Sequence, residues 1–276
     1  MSETGPPSSK DSVRATFGRA AATYGGIGPP FIYFGRVLVN AAGLQPGWRV
    51  LDVATGRGAV LFPAGEQVGP SGSVLGIDLA APMVELLQAD IVRNGIMNAE
   101  ACEMDAEELR LPDESFDAVT CGFILMFLPN LAAALSEFFR VLRPGGVVAA
   151  SSWAERDPRW DWYDAMTKRY VPTAPNAQGR QARILTTASE LMEPLAAAGF
   201  VDLEVITEPQ DVVYRDEETW WSALMSHAGR APIDRMTPEK AEQFKAEAFE
   251  RIQSLREKDG FHEVWEALIV TGRRPA

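Results

Sequence analysis

Residues 50–80 read VLDVATGRGAVLFPAGEQVGPSGSVLGIDLA and contain an apolar run, a carboxylate, a glycine turn, a helical stretch and a second strand that also ends in a carboxylate. This order is typical of a βαβ unit, in which a helix joins two parallel strands. Ligands of open parallel sheets bind beyond the carboxyl ends of the strands. We therefore expect Asp52, Gly56, Gly58 and Asp78 to lie together at one ligand-binding edge.

The alternation of β-rich runs and helical stretches continues along the chain. The runs are WRVLDVA, SVLGIDLA, EACEMDA, FDAVTCGFIL and GGVVAASSW, followed later by VDLEVIT and HEVWEALIVTGRR. Strands that alternate with helices favour parallel βαβ units. The sequence therefore predicts an α/β fold built on a largely parallel sheet.

The spacing of the glycines and carboxylates indicates which class of ligand the site binds. A dinucleotide fingerprint that starts at Gly56 reaches Leu61, where close packing of the helix requires a small residue. A carboxylate at Asp52 would also repel a pyrophosphate, whereas it attracts an ammonium group. Asp78, placed 20 residues after Gly58, suits the hydroxyls of a ribose. S-adenosylmethionine carries both an ammonium group and a ribose, so these residues favour it.

Composition excludes several classes of partner. The chain of 276 residues has 38 acidic and 26 basic side chains, a net charge of −12. This balance argues against a nucleic-acid partner and favours a neutral or cationic small molecule. The two cysteines form no C-x-x-C pair, so we expect no metal site and a reducing, cytoplasmic setting. The N-terminus MSETGPPSSK lacks the apolar core of a signal peptide, and we expect no membrane span.

The chain divides into a leading segment and a main domain. We predict a disordered tail and a helical cap over residues 1–36, then one α/β domain over residues 37–276 with lid insertions at 154–188 and 208–260. The second insertion is predicted to hold two helices, capped by Asp216 and begun by Thr237-Pro238.

The cap is the segment DSVRATFGRAAATYGG, whose apolar residues recur at helical spacing. Asp11 or Ser12 is the expected N-cap, and Gly25-Gly26 the expected end. If the apolar face finds no partner in its own chain, the helix would cross to a neighbouring subunit and make the protein a homo-oligomer.

The motifs VLDVATGRG, GIDLA, EMDAEELRLPDESFDAVTCGFILMFLPN and EFFRVLRPGGVVAASSW resemble, in order, those of the class I S-adenosylmethionine-dependent methyltransferases. The resemblance covers Val37 to Thr207. The motifs resemble most those of the group that includes ubiquinone and menaquinone C-methyltransferases and tailoring enzymes of natural-product biosynthesis. Some of these tailoring enzymes act on terpenoid-indole compounds. The resemblance implies a Rossmann-like, mostly parallel seven-stranded sheet with an antiparallel last strand, a helical cap and helical lid insertions.

The same resemblance implies how the cofactor is held. The residues that match the family's cofactor-binding motifs are Asp52, Ala54, Gly56, Gly58, Asp78, Leu79, Asp105, Ala106 and Phe123. It implies that Asp78 binds the ribose, that Asp105 accepts from the adenine amino group, and that Phe123 lies beside the transferable methyl. Ala54 stands where the family usually has glycine.

Catalysis and substrate choice are read from the remaining residues. Tyr24 matches a tyrosine of the cap in related enzymes and, with His227, is a candidate catalytic residue, whereas we expect a structural role for His262. The lid zones are rich in aromatic residues and methionine: Trp153, Trp160, Trp162, Tyr163, Tyr170, Trp220, Trp221 and Met225. They favour an apolar, aromatic or terpenoid substrate, or else they form the core of the lid itself.

The cations of the first lid zone are expected to face solvent. They are Arg156, Arg159, Lys168, Arg169, Arg180 and Arg183. The resulting prediction is a methyltransferase of an apolar small molecule, with carbon favoured as acceptor by resemblance alone and oxygen or nitrogen as alternatives.

Other functions and plainer roles remain open. The same fold could serve a cyclase or pericyclase that keeps the cofactor without transferring its methyl, or a protein that only senses the cofactor. Asp52 and Asp78 could be ordinary carboxylates at strand ends, Asp105 could cap a short helix in DAEEL, and Phe123 and Phe127 could be core residues.

Overall fold

The computed structural model describes residues 9–26, 30–171 and 185–276. The predicted disordered tail before Ser9, together with Arg180 and Arg183, lies outside these ranges. Within them, no helix combines the length and the apolar character needed to cross a membrane.

The described strands form a seven-stranded sheet of order β3-β2-β1-β4-β5-β7-β6. The strands are β1 Arg49–Val53, β2 Ser73–Asp78, β3 Ala99–Glu103, β4 Phe116–Gly122, β5 Leu142–Trp153, β6 Val201–Tyr214 and β7 Phe261–Arg273. Strand β7 pairs antiparallel with both β5 and β6, whereas the pairs among β1 to β5 are parallel. The predicted mostly parallel sheet with an antiparallel last strand is confirmed.

Helices cover both faces of the sheet and build the lid. They are α1 Ser9–Ala20, α2 Phe31–Ala42, α3 Leu61–Val68, α4 Ala81–Arg93, α5 Leu131–Val141, α6 Asp161–Tyr170, α7 Ala188–Ala197, α8 Glu217–Met225 and α9 Pro238–Ile252. Asp216 caps α8 by accepting from the Thr219 amide at 2.7 Å, and α9 begins with Pro238 after the N-cap Thr237. Both lid helices therefore start where the capping residues predict.

The order of the strands reverses beside β1, because β2 lies on one side of it and β4 on the other. Val50 and Leu51 in β1 and Ala118 and Val119 in β4 are fully buried, since helices cover both faces. The carboxyl ends of β1, β2 and β4 therefore open onto one crevice, the usual ligand site of such sheets.

Four boundaries differ from the predictions. Helix α1 begins at Ser9, so Asp11 and Ser12 lie inside it and neither is the N-cap. The same helix ends at Ala20, and the residues from there to Gly25-Gly26 form a turn. Helix α2 crosses the predicted limit at residue 36 and packs so closely on the main domain that a Cβ on Gly35 would lie 2.0 Å from the Ala59 carbonyl. Strand β6 does not stop at Thr207, because it pairs with β7 as far as Tyr214.

The cap packs part of its apolar face, and the lid most of its aromatic residues, against the rest of the chain. In α1, Ala20 is fully buried and Phe17 packs edge-on against Phe127 at 5.6 Å between ring centroids. The apolar face of α1 therefore has partners in its own chain, although Val13 and Phe17 are only half-buried, and exchange of the helix between subunits stays a prediction. In the lid, Trp160 and Trp220 are buried and stacked at 5.9 Å, so part of the aromatic content of the lid forms its own core.

Candidate cofactor and acceptor site

Asp52, at the end of β1, is a buried carboxylate with an unused oxygen. Its exposed fraction is 1%. Oδ1 accepts from the Thr120 hydroxyl at 2.8 Å, whereas Oδ2 has no partner among the described residues. Burial, with a smaller contribution from the charge of Asp78, raises the pKa of Asp52 to about 7. A buried acceptor of this kind needs a donor or a cation beside it.

The glycine turn after β1 is held in place by Asp78. This carboxylate accepts from the Gly56 amide at 3.0 Å and from the Ala80 amide at 2.9 Å. Burial raises the pKa of Asp78, although these amides act in the opposite direction. Ala54 has a φ of +54°, which explains why glycine suits this position in relatives: a left-handed alanine is strained.

Gly58 does not line the cleft, contrary to the expected contact with the cofactor. Its φ is +83°, and a Cβ there would lie 2.6 Å from the ring of Phe62 in α3. Gly58 therefore allows the turn to close against the helix, and it shapes the site without touching the ligand.

Asp52 does not line the cleft either and borders a smaller adjoining cavity. The other matched residues meet around one cleft at the carboxyl ends of the strands. Those that line it are Ala54, Gly56, Asp78, Leu79, Asp105, Ala106 and Phe123. Asp105 Oδ1 accepts from the Glu107 amide at 2.9 Å, in a turn and not at the start of a helix.

Helix α1 supplies a wall of the cleft that was missed from sequence. Val13 and Phe17 line it, and Lys10 Nζ lies 2.6 Å from both Asp105 Oδ2 and Glu107 Oε2. The helical spacing of Val13 and Phe17 indicates an apolar face, but only the tertiary structure shows where that face docks.

Tyr24 lies over the glycine turn. Its ring stacks on Phe31 at 5.1 Å, and Cε1 lies 3.4 Å from the position of a Cβ on Gly56. Burial, together with the charge of Asp78, raises the pKa of Tyr24 above its ordinary value, so the phenol stays protonated at neutral pH.

Phe123 belongs to a stacked pair of rings whose two members border different cavities. It follows β4 with a φ of +57°, a strained conformation that often marks a functional position. Its ring stacks on Trp153 at 3.8 Å between centroids. Phe123 lines the cleft, and Trp153 lines a second cavity.

The second cavity, the aromatic cavity, has a volume of about 300 Å³. Its aromatic lining residues are Trp153, Tyr163, Tyr214, Trp220, His227 and Trp265. His227 Nδ1 accepts from the Gly229 amide at 3.1 Å, and burial, with Arg156 nearby, lowers its pKa to about 4. His262 is elsewhere, between Asp211 and Asp259.

Arg156 points into the aromatic cavity, and the expectation that it faces solvent was wrong. Its Nη2 donates to Glu263 at 2.9 Å. The guanidinium also lies over the rings of Trp160 and Tyr163, at 5.8 and 5.4 Å from their centroids. Trp160 and Tyr163 follow Arg156 within the lid, whereas Glu263 lies on β7, 107 positions away in sequence.

The cleft fits a cationic nucleoside. The carboxylates of Asp78 and Asp105 line the cleft. Asp52, whose Oδ2 is unpaired, lines a smaller cavity that shares Ala54, Gly56 and Phe123 with the cleft. The left-handed Gly56 allows a ligand to approach the backbone. Among the described residues, no cluster of His, Cys, Asp and Glu side chains is arranged to hold a metal ion.

Comparison with known proteins agrees with this geometry. Residues 50–146 match the family described as "Methyltransferase domain". The chain belongs to the class I S-adenosylmethionine-dependent methyltransferases. Its cofactor is S-adenosylmethionine.

Two curated methyltransferases and one solved structure illustrate the similarity. Aklanonic acid methyltransferase DauC of Streptomyces is 39% identical over 144 residues, which are 52% of this chain and 66% of that protein. Nocamycin O-methyltransferase of Saccharothrix syringae is 29% identical over 94% of this chain and 98% of its own. A putative methyltransferase from Bacillus halodurans has a TM-score of 0.59 at 25% identity and covers 87% of this chain and 98% of that one.

Proposed function

We propose that this methyltransferase transfers the methyl group of S-adenosylmethionine to an apolar, conjugated small molecule bound in the aromatic cavity. The observation that carries the proposal is the stack of Phe123, which lines the cofactor cleft, on Trp153, which lines the aromatic cavity. A shift of these two rings would bring a molecule in the cavity into contact with the methyl end of the cleft.

The residues of the cleft bind and orient the cofactor. Asp52 receives the ammonium group, Asp78 the ribose hydroxyls and Asp105 the adenine amino group. When bound, the cofactor supplies a methyl group already activated by its sulfonium. The protein therefore has to align the acceptor and exclude water, and the aromatic rings that border the two cavities do both.

The protonation states favour an acceptor atom that needs no base. Tyr24 stays protonated because its pKa is raised, and His227 is a weak base because its pKa is lowered to about 4 and its Nδ1 already accepts from Gly229. An electron-rich carbon can attack before it loses a proton, whereas a neutral hydroxyl usually cannot. We therefore propose C-methylation, with Tyr24 closing the cofactor end and His227 orienting the acceptor as a neutral imidazole.

Oxygen is the second candidate acceptor. It is favoured by the similarity to nocamycin O-methyltransferase, which extends over 94% of this chain. Both curated relatives are named for natural products that they methylate, and this supports a role in natural-product tailoring.

Methyl-¹³C-labelled S-adenosylmethionine tests the proposal. The protein is incubated with the label and a panel of hydroxynaphthalenes and indoles, and products are analysed by mass and by ¹³C NMR. We expect a product heavier by one CH₂ whose labelled methyl is bonded to carbon. A methyl bonded to oxygen would support the second candidate. An acceptor isomerised at unchanged mass, or cofactor binding without any product, would contradict methyl transfer and support a cyclase or a sensor.

A matched pair of variants localises the acceptor. Leu224→Trp fills the aromatic cavity and is expected to abolish product while S-adenosylhomocysteine still binds. Ile206→Trp adds the same bulk on an exposed position of β6 and should leave turnover unchanged. Equal turnover in both variants would place the acceptor elsewhere.

A further inference from the structure

The aromatic cavity has one polar wall, formed by a chain of hydrogen bonds. Trp265 Nε1 donates to the Tyr214 hydroxyl at 3.3 Å, and Tyr214 donates to Glu263 Oε2 at 3.2 Å. The other oxygen of Glu263 accepts from Arg156 Nη2 at 2.9 Å. Glu263 is only 3% exposed, so this wall is a built feature of the interior and not a solvated surface.

The wall fixes the guanidinium of Arg156 in position. Glu263 holds Nη2, and the rings of Trp160 and Tyr163 lie against the guanidinium plane. An arginine held in this way loses little further freedom when a ligand binds.

Arg156 has donors left for a ligand. Among the described residues, the only other carboxylate within 4 Å of the guanidinium is that of Asp164, whose Oδ1 lies 3.6 Å from Nη1, beyond hydrogen-bonding distance. The side chain is 32% exposed and lines the cavity. Nη1 and Nε can therefore donate to an acceptor atom inside the cavity.

The charge balance selects the kind of oxygen that Arg156 can bind. Among the described residues, four carboxylates line the cavity (Glu155, Asp164, Glu263 and Glu266), against the one guanidinium of Arg156. Binding of an anion would add a fifth negative group to this surface, whereas a carbonyl or ether oxygen accepts from Arg156 without that cost.

We propose that Arg156 is the specificity-determining residue of the acceptor site, and that it donates to an uncharged carbonyl oxygen on a flat, conjugated acceptor stacked among the tryptophans. This inference rests on the proposed function, because it concerns the molecule that receives the methyl group. Glu263 acts through Arg156 and is a positioning residue.

The lid offers a matched pair of residues as a control. Arg169 pairs with Glu247, which also accepts from the Tyr170 hydroxyl, and Arg169 lies over the Tyr170 ring. This arrangement repeats that of Arg156, Glu263 and their tyrosines, but it does not line the aromatic cavity.

The test compares three probes by ligand-observed NMR titration in the presence of S-adenosylhomocysteine. They are 2-acetylnaphthalene, which has a carbonyl, 2-ethylnaphthalene, which has the same shape without oxygen, and the anion 2-naphthoate. We expect the ketone to bind about tenfold more tightly than the hydrocarbon, the usual value of a hydrogen bond to a charged donor. The naphthoate should bind more weakly than the ketone.

The variants isolate the contribution of Arg156. In Arg156→Met/Glu263→Gln, which leaves no unpaired buried charge, the ratio of the ketone and hydrocarbon affinities should fall to about one, whereas in Arg169→Met/Glu247→Gln it should remain about tenfold. Should the first double variant fail to fold, Glu263→Gln alone is expected to lower the ratio, since Arg156 loses its anchor.

Three results would overturn the inference: no preference for the ketone in the wild type, a ratio that persists without Arg156, or tightest binding of the naphthoate. The proposed function is judged separately by transfer of the labelled methyl. If the labelled methyl is transferred but the ratio of the ketone and hydrocarbon affinities does not depend on Arg156, the inference about Arg156 is refuted and the proposed function stands.

Discussion

The pH dependence of cofactor binding tests the role of Asp52. Burial holds the pKa of this carboxyl at about 7, far above its ordinary value of 3.8. Only the ionised form attracts an ammonium group, so the affinity for the cofactor should rise with pH up to about 7 and then level off.

The size of the effect follows from the pKa. An acid with a pKa of about 7 is only about one-tenth ionised at pH 6, so the Kd there should be about tenfold above its plateau, and at pH 5 about a hundredfold. The α-amino group of the ligand has a pKa of about 8. It therefore stays protonated between pH 5 and 7, and Asp52 is the partner that titrates.

Calorimetric titration with S-adenosylhomocysteine between pH 5 and 7 measures this slope. Asp52→Asn should bind weakly and without the slope. Asp117→Asn is the control, because Asp117 on the neighbouring strand pairs with Arg143 outside the cleft and should keep the wild-type slope. A flat wild-type profile, or a slope retained in Asp52→Asn, would refute the reasoning.

The same pKa predicts the stability of the protein without cofactor. Between about pH 4 and pH 7 folded Asp52 keeps a proton that the unfolded chain releases. The free energy of unfolding should therefore fall as pH rises through this window, by an amount that Asp52→Asn removes. Urea unfolding at several pH values measures it, and a contribution of Asp52 that grows with pH would contradict the raised pKa.

Three further substitutions test the packing around the site. Ala54→Gly should raise the free energy of unfolding by about 1 kcal/mol by relieving the positive φ. Its control, Ala89→Gly in the exposed middle of α4, should lower the free energy of unfolding by about 1 kcal/mol. Equal losses for the two variants in urea unfolding would show that Ala54 is not strained. Gly35→Ala should lower the free energy of unfolding by at least about 2 kcal/mol because its Cβ would collide with the backbone of Ala59. Gly18→Ala should not, because its Cβ would lie 3.7 Å from the nearest atom, in Pro82. Lys10→Met should speed tryptic cleavage after Arg14 and Arg19, the sites in α1 that both proteins share, about two- to fivefold by removing the ion pairs of Lys10. An unchanged rate would mean that these ion pairs do not hold the cap.

The sheet and the cofactor end of the site could be predicted because their signals are local. Asp52, Gly56 and Asp78 lie within one βαβ unit, so their meeting at the sheet edge follows from its geometry alone. Asp105 and Phe123 came from the resemblance to a family, and the structure places both beside the same cleft.

The acceptor side could not be predicted because its contacts join distant segments. Arg156 meets Glu263 across 107 positions of sequence, and Lys10 meets Asp105 across 95. The extension of β6 to Tyr214 likewise depends on its pairing with β7. Side-chain direction in an insertion is decided by partners of this kind, which hydropathy and spacing do not reveal.

The most direct test of the central claim is a calorimetric titration of the protein with S-adenosylmethionine, S-adenosylhomocysteine and NAD in parallel, repeated with Asp78→Ala. We predict saturable binding of the first two ligands, weakened by the substitution, and no binding of NAD. Binding of NAD alone, or of none of the three, would contradict the assignment of the two carboxylates at the ends of β1 and β2 and with it the account of the site.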